Sequence, residues 1–485
     1  MLFNSIDFAI FFPIVFILYW LVSKNLFNRN VLILISSYFF YGWWDWRFLF
    51  LIAISSIVDF VVGDKLHKTS NPKQRKNLLL ISLLVNLGFL IYFKYTNFFV
   101  ETFVDAFTLF GKNIEVSTLN IILPVGISFY TFQTLSYTID IYRKQLKPTK
   151  NALSFFAFVS FFPQLVAGPI ERASHLLPQF YKTYRFNYDQ VKSGLLLMAF
   201  GLFKKMVIAD RLAIAVNQVY NNPSDHYGFD VILATIFFAF QIYCDFSGYS
   251  DIAIGAARTM GFDLMKNFDS PYLSKSITEF WRRWHISLST WFRDYVYIPL
   301  GGSRKGKHKT YANLFIVFLV SGLWHGAAMT FVIWGAIHGI IIVIEKAFYK
   351  QRIKIFEALH LKNNLASKIV FIPMIFIIVC FAWIFFRANS LKDSLTLISN
   401  IGKGVFNYEN IYSLGLVKPE FILSLITIVF LVIFEWMHKT YNMQRLLAKQ
   451  VLPVRWSFYL TVVFIILVFG IYGENQVSEF IYFQF

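Results

Sequence analysis

The feature that most constrains this chain is a succession of long apolar runs broken by short polar loops. A membrane-spanning helix needs about 20 predominantly apolar residues. The candidate spans are Ile6–Val22, Val31–Tyr41, Phe48–Val62, Leu78–Phe93, Leu119–Tyr142, Ala152–Ala167, Gly194–Val219, Phe229–Cys244, Tyr311–Glu345, Ile369–Phe386, Phe421–Met437 and Trp456–Tyr472. Several fall short of a full crossing. Short runs of this kind predict tilted or re-entrant segments, tolerated only where protein buries them or they line a cavity. Composition closes off a soluble reading: 57% of the 485 residues are apolar and 20% aromatic, with 58 Phe. Charged residues make up 15%, against about 25% in soluble domains. With no internal repeat and no low-complexity linker, residues 1–485 read as one all-α polytopic membrane domain.

Lys and Arg exceed Asp and Glu by 45 to 27, a net charge of +18. The basic residues cluster in short loops, which is the positive-inside pattern of a membrane protein and not the footprint of a nucleic-acid partner. The loops Lys65–Lys76, Arg143–Lys150, Lys346–Lys368 and Lys439–Arg455 are therefore expected to be cytoplasmic. The N-terminus and the tail 473–485, which lacks Lys and Arg, are expected outside. The run Phe8–Val22 has no small-residue cleavage site after it and reads as a retained first helix. Cys244 and Cys380 both lie in apolar runs, so no disulfide framework or C-x-x-C site is expected.

Residues 241–310 break the membrane pattern. Trp281, Trp284 and Trp291 alternate with Arg282, Arg283, His285 and Arg293. One reading is an amphipathic helix at the lipid interface, with Trp at headgroup level. The other is a re-entrant helix shaping the mouth of a tunnel. Next comes Tyr311–Glu345, with basic loops at both ends, which must go into the membrane and return through the turn SGLWHGA, Ser321–Ala327. A first arm of about 12 residues would reach roughly 18 Å, placing His325 inside a hydrocarbon core about 30 Å thick. An ionisable residue at such a depth is a functional candidate. Asp245 and Asp251, with Ser247, Tyr249 and Ser250, form a polar patch that reads equally as a helix-breaking turn or as tunnel lining. Metal ligation is not expected, since there is no H-E-x-x-H and no Cys/His pair at ligand spacing. No P-loop or G-x-S-x-G elbow is present.

The run TEFWRRWHISLSTWFRDYVYIPLGGSRKG (Thr278–Gly306), followed by SGLWHGA, resembles the membrane-bound O-acyltransferase (MBOAT) family. It is most similar to the bacterial branch that O-acetylates extracellular polysaccharides, which includes the membrane subunits of alginate and peptidoglycan O-acetylation. Pro124–Arg143, Phe161–Arg172, Gln241–Gly255 and the closing FIYFQF (Phe480–Phe485) resemble it too, so the likeness runs along nearly the whole chain. Cys244 stands where the motif carries an aromatic residue. The resemblance implies the MBOAT fold, a ring of tilted and re-entrant helices around a central tunnel, in a bacterial cytoplasmic membrane. Its core region is 241–325. It also implies His325 as the catalytic base and His285 as a second catalytic residue. The donor would be acetyl-CoA, as substrate and not bound cofactor, and a separate SGNH-type esterase-like partner would complete transfer to an extracytoplasmic polysaccharide.

The chemistry agrees with that implication. Attack of an oxygen nucleophile on a thioester needs a general base near neutrality, for which His is suited. A membrane-buried site excludes the water that would hydrolyse the donor. Polyanionic CoA would dock at a cytoplasmic mouth carrying Arg282, Arg283, Arg293, Arg304 and Lys305, with Lys307 and Lys309 behind them. The closing Tyr482 is a candidate acyl relay: a phenol deprotonated by His325 can accept an acyl group and pass it on. A transporter or lipid flippase with a polar intramembrane centre stays open as an alternative, as does a scaffold that only docks a secreted partner.

Overall fold

The computed structural model describes residues 1–109, 121–166, 168–358, 365–404, 414–441, 443–472 and 480–483. Among them every regular element is a helix. Among the described residues seven helices are long and apolar enough to cross a membrane, which makes the chain a multi-pass membrane protein. Two compact units are formed, Met1–Met198 with Ser250–Met265, and Ala199–Tyr249 with Lys266–Phe485.

In the first unit, helices begin where side chains satisfy their free amides. Ser5 caps Ile6–Val22, Asn25 caps Leu26–Asp45, and Asn71 followed by Pro72 starts Pro72–Leu90. This is the usual solution for the unpaired N–H groups of a first turn. Buried polar contacts join the helices alongside the apolar core. Asp59 accepts from Ser82 Oγ at 2.5 Å and Asn86 Nδ2 at 2.9 Å, and Ser55 donates to Asn86 at 2.6 Å. The fully buried guanidinium of Arg29 donates to the carbonyls of Phe180 and Lys182 and to Asn30. Buried polar groups are tolerable only when paired in this way.

In the second unit the expected runs are present, but several boundaries move. Tyr311–Glu345 is a hairpin of two helices, Lys307–His325 and Met329–Ala347. The first arm has 19 residues, so it spans about 28 Å rather than 18 Å. Its polar start is held by local bonds: Thr310 donates to the Gly306 carbonyl at 2.8 Å and Asn313 to that of Gly302 at 3.0 Å. The two arms touch backbone to backbone. A Cβ on Gly322 would fall 2.3 Å from the Phe331 carbonyl oxygen, and one on Gly335 2.4 Å from that of Phe318.

The run Phe229–Cys244 continues unbroken to Thr259, so the Asp245–Asp251 patch lies within a helix and not in a turn. Gly194–Val219 contains a π-helical stretch, Phe203–Ala209, between Tyr188–Leu202 and Asp210–Asn221. Residues 260–306 do not form one interfacial amphipathic helix. They hold short helices, including Ile277–Arg283 and Ile286–Phe292, with Trp281, Trp284 and Trp291 buried in protein. Of the tail 473–485, Phe480 and Ile481 are buried, while 473–479 and 484–485 lie outside the described residues.

Candidate active site

His285, His325 and Tyr482 come from three separate segments of the second unit and meet in one aromatic chamber. His285 sits where the Ile277–Arg283 helix gives way to Ile286–Phe292, with φ of +44°. Left-handed backbone at a side-chain-bearing residue costs about 1–2 kcal/mol, and strain of this kind gathers at functional sites. Asn267 holds the turn. Its carbonyl accepts from the Ile286 amide at 2.9 Å, and its Oδ1 accepts from the Ser287 hydroxyl at 2.9 Å and the Ser287 amide at 3.3 Å. The same Oδ1 is 3.1 Å from His285 Nδ1. An atom already accepting from a backbone N–H must be the amide oxygen, so Nδ1 is the donor and Nε2 carries the lone pair.

His325 closes the Lys307–His325 helix and is 3% exposed. Gly326 follows with no room for a side chain, since a Cβ there would lie 2.0 Å from the Phe331 ring. Around the imidazole stand Trp324, Trp334, Phe386 and Tyr482, with ring centroids at 4.9, 5.1, 5.4 and 5.6 Å. The ring of His285 is 6.4 Å from that of His325 and 6.2 Å from that of Tyr482. Phe246 packs against Tyr482 at 4.4 Å, and Tyr249 against Phe480 at 4.2 Å. The chamber thus brings two imidazoles and a phenol together with indole and phenyl walls. Such walls exclude water and leave the polar groups to act on one another.

The basic residues divide by their partners. Arg283 is ion-paired with Glu279, and Arg293 contacts Asp294 at 2.7 Å. Arg282, Arg304 and Lys305 have exposed side chains.

Sequence reasoning passed over two groups. Asn267 acts across 18 residues of sequence, so no local pattern marks it. Lys204, Lys205 and Asp210 are all buried in the π-helical stretch or next to it. Lys205 Nζ lies 2.8 Å from Asp210 and 2.7 Å from Asp245, and Lys204 donates to Ser247 at 2.9 Å. Two lysines in the middle of an apolar run were the signal that could have found them.

Residues 144–386 match the family model for MBOAT, the membrane-bound O-acyltransferase family. The chain is 37% identical, over all of its length and all of the relative's, to a probable alginate O-acetylase AlgI of Pseudomonas putida. It is 35% identical to a peptidoglycan O-acetyltransferase of Helicobacter pylori, covering 83% of this chain and 80% of the relative. It is 30% identical to a teichoic acid D-alanyltransferase of Bacillus subtilis, over 56% of this chain and 70% of the relative.

Proposed function

Because the chain belongs to the membrane-bound O-acyltransferase family, and so is a membrane acyltransferase, we propose that it moves acetyl from cytoplasmic acetyl-CoA towards an extracytoplasmic polysaccharide. The observation that carries this reading is the meeting of His325, His285 and Tyr482 in one buried aromatic chamber. The relatives named for alginate and for peptidoglycan share an O-acetylated polysaccharide, and that is the acceptor class proposed here.

In the proposed cycle His325 takes the phenolic proton of Tyr482 as general base. The phenolate oxygen attacks the thioester carbonyl, a C–O bond forms, the C–S bond breaks, and the CoA thiolate leaves with the proton held by His325. Tyr482 is then an aryl acetate, an activated ester. An SGNH-type partner's nucleophile takes the acetyl and hands it to a sugar hydroxyl, and the phenol recovers its proton. His285, with Nδ1–H held by Asn267, offers Nε2 as the second basic nitrogen of the chamber. Arg282, Arg304 and Lys305 are the cations proposed for the CoA phosphates. The enzyme acts from the bacterial cytoplasmic membrane.

The test is acetyl transfer in proteoliposomes given labelled acetyl-CoA, partner and polysaccharide. His325→Ala should remove transfer from a folded, inserted protein, and near-normal turnover would end the assignment. Tyr482→Phe keeps the packing and removes one hydroxyl, and wild-type transfer by that variant would end the relay.

A further inference from the structure

The relay requires a chain segment that is held in place by more than its own few residues. The described tail residues are short: a single 3₁₀ turn, Ile481–Phe483, preceded by Phe480. Their polar anchor is not in the tail. The Ile481 amide donates to Asp245 Oδ2 at 2.7 Å, while Asp245 Oδ1 lies 2.7 Å from Lys205 Nζ. Lys205 also faces Asp210 at 2.8 Å, and the side chains of all three are at most 4% exposed. This cluster holds two carboxylates and one ammonium. Lys205 supplies cationic N–H groups to both acids, and the tail amide supplies a further donor to Asp245. A buried carboxylate needs its oxygens satisfied, so the cluster is most stable with the tail docked. Two further features fit this arrangement. Lys205 lies in the buried π-helical stretch Phe203–Ala209, and single π turns are common at functional sites. Tyr482 follows Ile481 directly, and its ring packs at a tilt against Phe246, the neighbour of Asp245.

We propose that Asp245, supported by Lys205 and Asp210, is a positioning residue that latches the tail through the Ile481 amide and so presents Tyr482 to His325. The catalytic part of this proposal rests on the relay reading of Tyr482; the latch itself does not. In this role Asp245 acts through the tail, by its bond to the Ile481 amide.

The experiment uses the full chain with a cysteine probe at Phe480→Cys, buried in the docked tail, and measures thiol labelling in detergent or proteoliposomes. The native Cys244 and Cys380 are buried, and labelling at Cys380 reports unfolding. Asp245→Asn should raise probe labelling about tenfold or more while Cys380 stays protected, the scale expected when a charge-assisted hydrogen bond is lost. Unchanged labelling overturns the latch. If Asp245→Asn exposes Cys380, Ile481→Pro replaces it. Proline lacks the N–H, is suited to the first position of a helical turn, and leaves Lys205, Asp210 and Asp245 intact. Ile481→Val measures the loss of side chain alone, and labelling of the Pro variant no greater than that of the Val variant overturns the latch as well.

Turnover separates the latch from the relay. Asp245→Asn should lower kcat about tenfold with the KM for acetyl-CoA held, and should cost nothing further in a Tyr482→Phe protein. Additive losses would mean that Asp245 acts elsewhere, and would overturn the positioning role. Wild-type turnover by Tyr482→Phe ends the relay and with it the catalytic consequence, while the labelling arm still decides whether the carboxylate holds the tail.

Discussion

His285 and His338 are both fully buried, and both sit among indole and phenyl rings of the same unit. Their hydrogen bonds are opposite. His285 gives its Nδ1 proton to Asn267 and keeps a lone pair on Nε2. His338 accepts from Trp281 Nε1 at 3.3 Å. An indole N–H can only donate, so the single lone pair of a neutral imidazole is spent there and the ring is left with a proton on Nε2. Trp334 stands between His325 and His338, 5.1 Å from each. The lesson is that burial alone does not mark a catalytic histidine; what matters is which nitrogen the surroundings consume. Under the proposed cycle the Asn267 contact orients His285 as a donor at Nδ1, while His338 is set as an acceptor by Trp281.

The comparison is sharpened most strongly at His325. His325→Ala should lower acetyl transfer by about 10² to 10⁴-fold, the range of a positioned general base, with expression and melting temperature near wild type. Asn267→Ala should lower turnover about tenfold, the worth of one good hydrogen bond to the transition state, because it frees the His285 ring to turn. Transfer at the wild-type rate in a folded Asn267→Ala protein would erase the distinction drawn between the two histidines. His338→Ala should instead cost stability, about 3–5 kcal/mol from the cavity and the orphaned Trp281 N–H, with turnover per folded molecule within about twofold. His338→Asn should recover much of that stability, since its oxygen can still accept. A melting curve alongside the transfer assay reads both. The smallest effects belong to the exposed cations. Arg282→Ala or Arg304→Ala should raise the KM for acetyl-CoA by up to about fivefold each, less at high salt.

Much of this was legible because a membrane leaves few options. A polar residue inside a long apolar run stands out, and His325 and the break at Gly326 were marked in that way. The first helix, Ile6–Val22, matches its run at both ends because Ser5 caps it and Asp7 in the first turn is the one charge within it. The apolar pattern alone makes the arm before His325 too short, since Lys307, His308 and Lys309 read as loop; exposed at a helix start, they extend it. The Asp245 patch reads equally as a break or as tunnel lining because its polar residues have partners that are distant in sequence, among them Lys205 and the Ile481 amide. Asn267 and His338 were invisible in their roles for the same reason. Hydrogen-bond direction at a buried ring depends on a partner 18 residues away in one case and 57 in the other.

The most direct test of the chamber is peptide mass spectrometry of the purified protein after incubation with acetyl-CoA and no acceptor. The account predicts a single acetyl group on Tyr482 in the wild-type chain, retained in His338→Asn and absent in His325→Ala. An unmodified Tyr482 in a protein that transfers acetyl once partner and acceptor are added, or acetylation of Tyr482 that survives His325→Ala, would contradict it.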